Sequence, residues 1–250
     1  MSHPVEVRGL AKSYFEAGRG EVQAVRGIDF FCQEGEIFGL LGANGAGKTS
    51  TLRMLSTVLT PTAGTAEVMG HDLLKEPEAV RRNLGFFSAS TALYPRLTAR
   101  ETVEFFARIN GYPAAQVRDR VEELIARIGL TSFANTRVDQ LSSGMKQKVS
   151  IARTVAHDPP ILIFDEPTVG LDVLNALEFQ KVLQEFRSQG KCILLSTHIM
   201  SEAEKLCDRI AIIHGGKILA CDTLEGLRAM SGQHYLEDIF VRLIRPEEPA

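Results

Sequence analysis

The run Gly42-Ala43-Asn44-Gly45-Ala46-Gly47-Lys48-Thr49 constrains this chain more than any other stretch of its sequence. It fits G-x-x-x-x-G-K-[ST], follows the apolar segment Ile37-Phe38-Gly39-Leu40-Leu41, and opens a helical pattern from Gly47 to about Leu59, closed by Pro61-Thr62-Ala63-Gly64. A strand that stops in glycines and restarts as a helix lets consecutive backbone N–H groups converge on one point, and the helix aims its positive end there too. The pattern predicts a phosphate cradle. Gly42, Asn44, Gly45, Ala46, Gly47 and Ser50 are expected around the phosphates, with Lys48 reaching the β- and γ-phosphates and the Thr49 hydroxyl ligating Mg²⁺. A glycine-rich turn with an incidental lysine is the competing reading, and the flanking strand and helix weigh against it. The loop alone indicates only a nucleoside triphosphate; a kinase, a GTPase and a motor all stay open.

Two further strand ends carry chemistry. Ile161-Leu162-Ile163-Phe164 feeds directly into Asp165-Glu166, and open α/β sheets bind ligands at the carboxyl ends of their strands. Successive strand residues point to opposite sides, so the two acids should have different work. Asp165 suits the Mg²⁺ shell, usually through water. Glu166 suits the attacking water, as general base or water positioner. The bland alternative, a solvated acidic turn before Pro167, sits badly with an apolar run ending in two acids. His198 closes another such run, Cys192-Ile193-Leu194-Leu195-Ser196-Thr197. A lone histidine is most often a packed or surface residue; its strand-end position makes it a candidate to donate a hydrogen bond to the γ-phosphate or to water.

Composition sets the frame for these motifs. The 250 residues are 44% hydrophobic and 24% charged, which is globular, and 28 Lys+Arg against 31 Asp+Glu leave a charge of −3. That balance predicts no basic nucleic-acid surface. No stretch approaches the roughly 18–20 apolar residues that cross a bilayer, and the first residues lack the marks of a signal peptide. Cys32, Cys192, Cys207 and Cys221 show no C-x-x-C pairing, so buried thiols inside the cell are expected rather than zinc or disulfides.

Periodicity supplies the architecture. Val5–Leu10 and Val22–Phe31 look like strands, and Glu101–Asn110 looks like a helix. Val117, Val121, Leu124, Ile125 and Ile128 line one face of a second helix, and a third runs from Ser142-Ser143 to about Ala156 with Ser142 as its N-cap. After Pro159-Pro160, strands at 161–164, 192–196, 209–214 and 217–220 alternate with a helix at 173–187, ahead of a helical tail holding Leu236, Ile239, Phe240 and Leu243. Such alternation predicts an α/β protein with a mainly parallel sheet, into which residues 90–157 insert a mainly helical lobe.

Between the phosphate loop and the Asp-Glu strand lies Leu141-Ser142-Ser143-Gly144-Met145-Lys146-Gln147-Lys148, which resembles the signature segment of ATP-binding cassette (ABC) ATPases, usually Leu-Ser-Gly-Gly-Gln. Ser143 replaces the first glycine and Met145 the glutamine; Ser142 and Gly144 would keep the phosphate contacts. Thr168-Val169-Gly170-Leu171-Asp172 resembles the D-loop, with Asp172 as its acid; Ser196-Thr197-His198 resembles the switch histidine; Tyr14 resembles the aromatic that stacks on adenine, against the plainer reading of a surface tyrosine. The resemblance runs in order from about residue 4 to 245. One departure is clear. Most of the family closes the strand between core and lobe with a glutamine, and here that strand reads Asn83-Leu84-Gly85-Phe86-Phe87-Ser88-Ala89-Ser90-Thr91, with Ala89 at that place. Ser88 or Ser90 would substitute through a bridging water.

The resemblance implies a P-loop NTPase core of ABC type: residues 1–89 and 158–222 as the core with an N-terminal antiparallel β-subdomain, 90–157 as the helical subdomain, and 223–250 as a C-terminal tail. It implies ATP and Mg²⁺ as ligands and ATP hydrolysis as the activity. It also implies a second copy or homologue facing this one across sandwiched ATP, and a separate integral membrane permease that holds the chain on the cytoplasmic face. Tyr94-Pro95-Arg96-Leu97-Thr98-Ala99-Arg100-Glu101 and Tyr235-Leu236-Glu237-Asp238-Ile239-Phe240 resemble the exporter branch that includes sodium-extrusion ATPases, with drug-export ATPases as near relatives. Rival classes fit less well: a DNA-maintenance cassette needs a long coiled-coil insertion, a ribosome-acting one is expected to carry two cassettes, and a GTPase wants Asn-Lys-x-Asp. The absent glutamine leaves one competitor, a regulatory module that binds ATP and hydrolyses it feebly.

Overall fold

In the computed structural model, residues 3–245 are described apart from 17, 19, 89 and 90. In chain order the strands are β1 (Val5–Glu16), β2 (Gly20–Cys32), β3 (Ile37–Leu41), β4 (Ala63–Val68), β5 (His71–Asp72), β6 (Leu84–Ser88), β7 (Ile161–Asp165), β8 (Cys192–Thr197), β9 (Arg209–His214) and β10 (Lys217–Asp222). The helices are α1 (Lys48–Leu55), α2 (Pro77–Arg82), α3 (Ala99–Ile109), α4 (Val117–Arg127), α5 (Ser143–Thr154), α6 (Val173–Ser188), α7 (Met200–Leu206), α8 (Leu224–Ser231) and α9 (Leu236–Ile244).

Two sheets organise these elements. A six-stranded sheet runs β10-β9-β3-β8-β7-β6, and a four-stranded antiparallel sheet runs β2-β1-β4-β5. In the larger sheet every pairing is parallel except the β9–β10 edge. Its central strands β3, β7 and β8 are buried at every residue, which is why they read as continuous apolar runs rather than alternating ones.

The pleat sends successive residues to separate layers. Ile161 and Ile163 face the layer that holds Leu52, Met54 and Leu55 of α1 and the smaller sheet. Leu162 and Phe164 face the other layer, with Val103 of α3, Leu124 of α4, Val149 and Ala152 of α5, and Leu183 of α6. A third cluster seats α7, α8 and α9 beside β9, through Ala203, Leu227, Leu236 and Ile239.

Local signals account for most boundaries. Thr98 caps α3 in a reciprocal box, its hydroxyl accepting from the Glu101 N–H while the Glu101 carboxylate accepts from the Thr98 N–H. Ser142 caps α5 as predicted. The helix expected to reach Leu59 stops at Leu55, and Thr57 turns left-handed at φ 57° just beyond it. Ala63 and Gly64, read as the close of that helix, begin β4 instead. Gly64 (φ 72°) crosses so near β1 that a Cβ would lie 2.0 Å from the Gly9 carbonyl oxygen. The short elements β5, α2 and α7 carry too few periodic residues to be seen in sequence.

Candidate functional site

Strand order makes the site. β8 lies between β3 and β7, so three neighbouring parallel strands deliver their carboxyl ends to one edge. The registers align Leu41 with Thr197, and Ser196 with Asp165. The residues that follow are the phosphate loop, His198 and Glu166, which are distant in sequence and adjacent in space.

The loop is closely fitted. A Cβ on Gly42 would stand 2.4 Å from the Ile213 carbonyl oxygen, and one on Gly47 (φ 111°) would stand 2.6 Å from that of Ala24. A Cβ on Gly45 would meet nothing within 4 Å, so its φ of 80° rather than crowding calls for glycine there. Lys48 is 4% exposed. Its Nζ donates to the carbonyls of Gly42 (2.7 Å) and Ala43 (3.2 Å) and lies 3.1 Å from Glu166 Oε1. Buried cations need such partners, and these hold the ammonium at the mouth of the cradle.

Asp165 Oδ1 accepts two hydroxyls, from Thr49 at 3.1 Å and from Ser196 at 2.7 Å. Hydroxyl and carboxylate oxygens are hard donors, and among the described residues no group of three or more His, Cys, Asp or Glu forms a cage. That combination fits Mg²⁺, which keeps its waters and takes one or two carboxylates together with substrate phosphates.

Glu166 departs from strand geometry. β7 ends at Asp165, and Glu166 adopts φ 51°, a left-handed conformation that costs a non-glycine residue about 1–2 kcal/mol. Strand alternation therefore is not what separates the two acids; a backbone turn is. The Glu166 N–H donates to the Ser196 carbonyl (3.2 Å) and hydroxyl (3.0 Å), which fix the turn. Its Oε2 meets His198 Nδ1 at 2.8 Å. Its Oε1 is buried and, among the described residues, accepts no aligned hydrogen bond, although it is ion-paired with Lys48 Nζ at 3.1 Å. A carboxylate oxygen whose one near partner is an ammonium keeps lone-pair capacity to accept a water proton.

Behind this front row sits Glu202, 4% exposed. Thr197 donates its hydroxyl to Glu202 Oε2 at 2.5 Å and accepts from the Ile199 N–H at 3.0 Å, clasping the turn that carries His198. Burial, reinforced by the charge of Glu166, pushes the Glu202 carboxyl above the usual carboxylate range.

Of the residues singled out in sequence, the fold brings together Lys48, Thr49, Asp165, Glu166 and His198. Tyr14 and Ser50 join them at the rim, hydroxyl to hydroxyl at 3.2 Å. Among the described residues, no hydrogen bond joins Ser142, Gly144 or Asp172 to the phosphate loop. Ser142 Oγ caps α5 by accepting from the Met145 N–H at 3.3 Å. Asp172 caps α6, and the Asn175 backbone and side-chain amides hold its carboxyl below the ordinary range. The helix α5 nonetheless reaches the turn that follows β7, since Gln147 Nε2 donates to the Pro167 carbonyl. Ala89 and Ser90 lie outside the described residues. Ser88 ends β6 in register with Asp165. Ser196 and Glu202 escaped sequence reasoning: one is a polar letter inside an apolar strand, the other an ordinary helix glutamate.

Comparison with known proteins shows the family to which the chain belongs. The family model described as ABC transporter matches residues 25–169. The chain is 40% identical over 233 residues to the ABC transporter ATP-binding protein NatA of Bacillus subtilis (strain 168), an alignment covering 92% of this chain and 95% of NatA. It is 35% identical over 245 residues to the probable multidrug ABC transporter ATP-binding protein YbhF of Escherichia coli (strain K12), covering 96% of this chain and 41% of YbhF. Among solved structures, the ATP-binding subunit of an ABC transporter superposes with a TM-score of 0.87 at 31% identity, covering 96% of this chain and 99% of that one. The dimeric post-hydrolysis state of the ATP-binding cassette MJ0796 bound to ADP and Pi superposes at 0.79 with 27% identity, covering 88% and 98%.

Proposed function

The chain belongs to the family of ABC transporter ATP-binding subunits and is an ATPase, and from that premise we propose that it energises sodium export through a separate membrane permease. The observation that carries the hydrolytic part is Glu166, its two carboxylate oxygens held by Lys48 and His198 at the carboxyl edge of the sheet. The sodium substrate rests on the exporter-branch resemblance of residues 94–101 and 235–240.

The proposed roles follow from placement. Backbone N–H groups from Gly42 to Lys48 and the start of α1 bind the triphosphate, and Lys48 exchanges its loop carbonyls for phosphate oxygens. Tyr14 stacks on the adenine, with Ser50 below it. Glu166 accepts a proton from the attacking water, and His198 orients both acid and phosphate. Mg²⁺ held by Thr49 and Asp165 would neutralise charge on the β- and γ-phosphate oxygens. Because Ser142, Gly144 and Asp172 stand apart from the loop of their own chain, they are assigned to the ATP of a second copy. The dimeric cassette MJ0796 supports that assignment. Residues 90–157, which carry the signature, act as one lobe on the core formed by 1–89 and 158–222, with 223–250 as a tail. No helix among the described residues is long and apolar enough to cross a membrane. The membrane step is therefore assigned to the permease, and the chain to its cytoplasmic side, with no nucleic-acid partner. The likeness to YbhF favours one alternative cargo, a drug.

The test uses vesicles containing the permease and either the wild-type chain or Glu166→Gln. Wild-type chain is expected to drive ATP-dependent sodium movement, and Glu166→Gln to bind ATP without turnover. Drug movement without sodium movement would transfer the cargo to the alternative. Equal inertness of both chains in the presence of the permease would make the protein a regulatory binder instead.

A further inference from the structure

We propose that Ser196 is a positioning residue for hydrolysis, its hydroxyl joining the carboxylate of Asp165 to the backbone of Glu166. The proposal rests on the hydrolytic reading of Glu166 given above.

The chemistry of the contacts fixes their direction. An ionised carboxylate only accepts and an amide N–H only donates, so one hydroxyl meeting both must donate to Asp165 and accept from Glu166. Those two bonds measure 2.7 Å and 3.0 Å. Ser196 is fully buried in the middle of three adjacent strands, so water does not replace either contact. The left-handed turn at Glu166 needs surroundings that over-determine it. The Ser196 carbonyl, at 3.2 Å, supplies one restraint through β8, and the hydroxyl supplies the other. Among the described residues, Asp165 is likewise restrained by two hydroxyls, those of Thr49 and Ser196.

Removing the hydroxyl therefore loosens the acid facing water and the acid facing metal together, while leaving the phosphate loop untouched. Misplacement of a reacting group by about 1 Å costs on the order of 100-fold in rate. A partial loss of restraint should cost about 10-fold or more in kcat, with KM for ATP changed less than about two-fold.

The experiment compares the full-length wild type, Ser196→Ala, Ser196→Thr, Ser196→Cys and Glu166→Gln in steady-state ATPase assays across a Mg²⁺ titration. Fluorescent-nucleotide binding and thermal melting are measured alongside. Ser196→Ala is expected to lose kcat about 10-fold, keep its Mg²⁺-free ATP affinity and melting temperature, and need more Mg²⁺ for half-maximal rate. Its gain in ATP affinity on adding Mg²⁺, read by binding alone, should shrink. Ser196→Thr, which restores a hydroxyl, should recover kcat. If Ser196→Ala does not fold, Ser196→Cys, of similar volume with a weaker donor, is read in the same way.

Wild-type kcat in Ser196→Ala would overturn the proposal, as would loss of ATP binding in step with kcat. A folded, ATP-binding Ser196→Thr that stays as slow as Ser196→Ala would do the same. Glu166→Gln separates the two ideas. If it turns over normally, the hydrolytic reading itself fails; if it is inert while Ser196→Ala is fast, only the role of Ser196 fails.

Discussion

His198 Nδ1 stands 2.8 Å from Glu166 Oε2, across the carboxyl ends of two strands separated by 32 positions at these residues. Since the carboxylate accepts, the imidazole carries its proton on Nδ1 and turns Nε2 away from the acid. On the proposed reading, this contact casts the histidine as an orienting partner rather than a proton acceptor. Replacing His198 by Ala should lower kcat about 10–100-fold while leaving ATP affinity within about two-fold. Single-turnover measurements beside nucleotide titration check this; a parallel loss of affinity would move His198 from hydrolysis to binding.

The separation of Ser142 and Gly144 from their own phosphate loop leads to an assembly prediction. Glu166→Gln with ATP should shift the protein from monomer to dimer in size-exclusion chromatography with light scattering, because a closed pair that cannot hydrolyse its ATP does not reopen. Monomer alone at high concentration, with and without ATP, would sink the shared-site reading.

Two glycines separate local strain from function. Gly47→Ala forces a Cβ to 2.6 Å from the Ala24 carbonyl oxygen at φ 111°, so the loop must shift. ATP affinity should fall more than about 10-fold, equivalent to about 1.4 kcal/mol. Gly64→Ala meets the Gly9 carbonyl oxygen at 2.0 Å, in the small sheet rather than in the loop. It should lower the melting temperature by several degrees, roughly as 1–2 kcal/mol does in a chain of this size. Folded Gly64→Ala at low temperature should still bind ATP.

His157 gives the fold an acid-sensitive point. Burial, reinforced by the positive charges of Lys191 and Arg120 against the opposing Asp158, pushes its imidazole from 6.5 down to about 4. Between those values the unfolded chain holds a proton that the folded chain refuses, so stability rises with pH across the window and falls as pH drops from about 6.5 to about 4. Melting temperatures from pH 7 to pH 4 should decline more steeply for the wild type than for His157→Leu. Superimposable slopes would show that the ring titrates normally.

Much of this was legible before any coordinates. Lys48, Thr49, Asp165, Glu166 and His198 each end or follow an apolar run, so their shared edge could be foreseen from strand-end logic. What could not be foreseen was the order of the strands. Only because β8 lies between β3 and β7 does His198 fall between the loop and the acids. The turn at Glu166 was hidden for a related reason: a left-handed glutamate carries no sequence mark, and it is imposed by Ser196 from a strand 30 residues away. The start of β4 was misread because Pro61 and Gly64 are ordinary helix terminators, and the pairing that begins at Ala63 depends on β1.

One layer gathers Leu124, Val149 and Ala152 with Leu162, Phe164 and Leu195 across residue 157, the proposed boundary between lobe and core. The lobe is thus less a separate body on a pivot than one half of a laminate. Any tilt of the signature helix bends side chains beneath the hydrolytic edge, and the whole should melt in a single endotherm rather than shed a stable proteolytic piece.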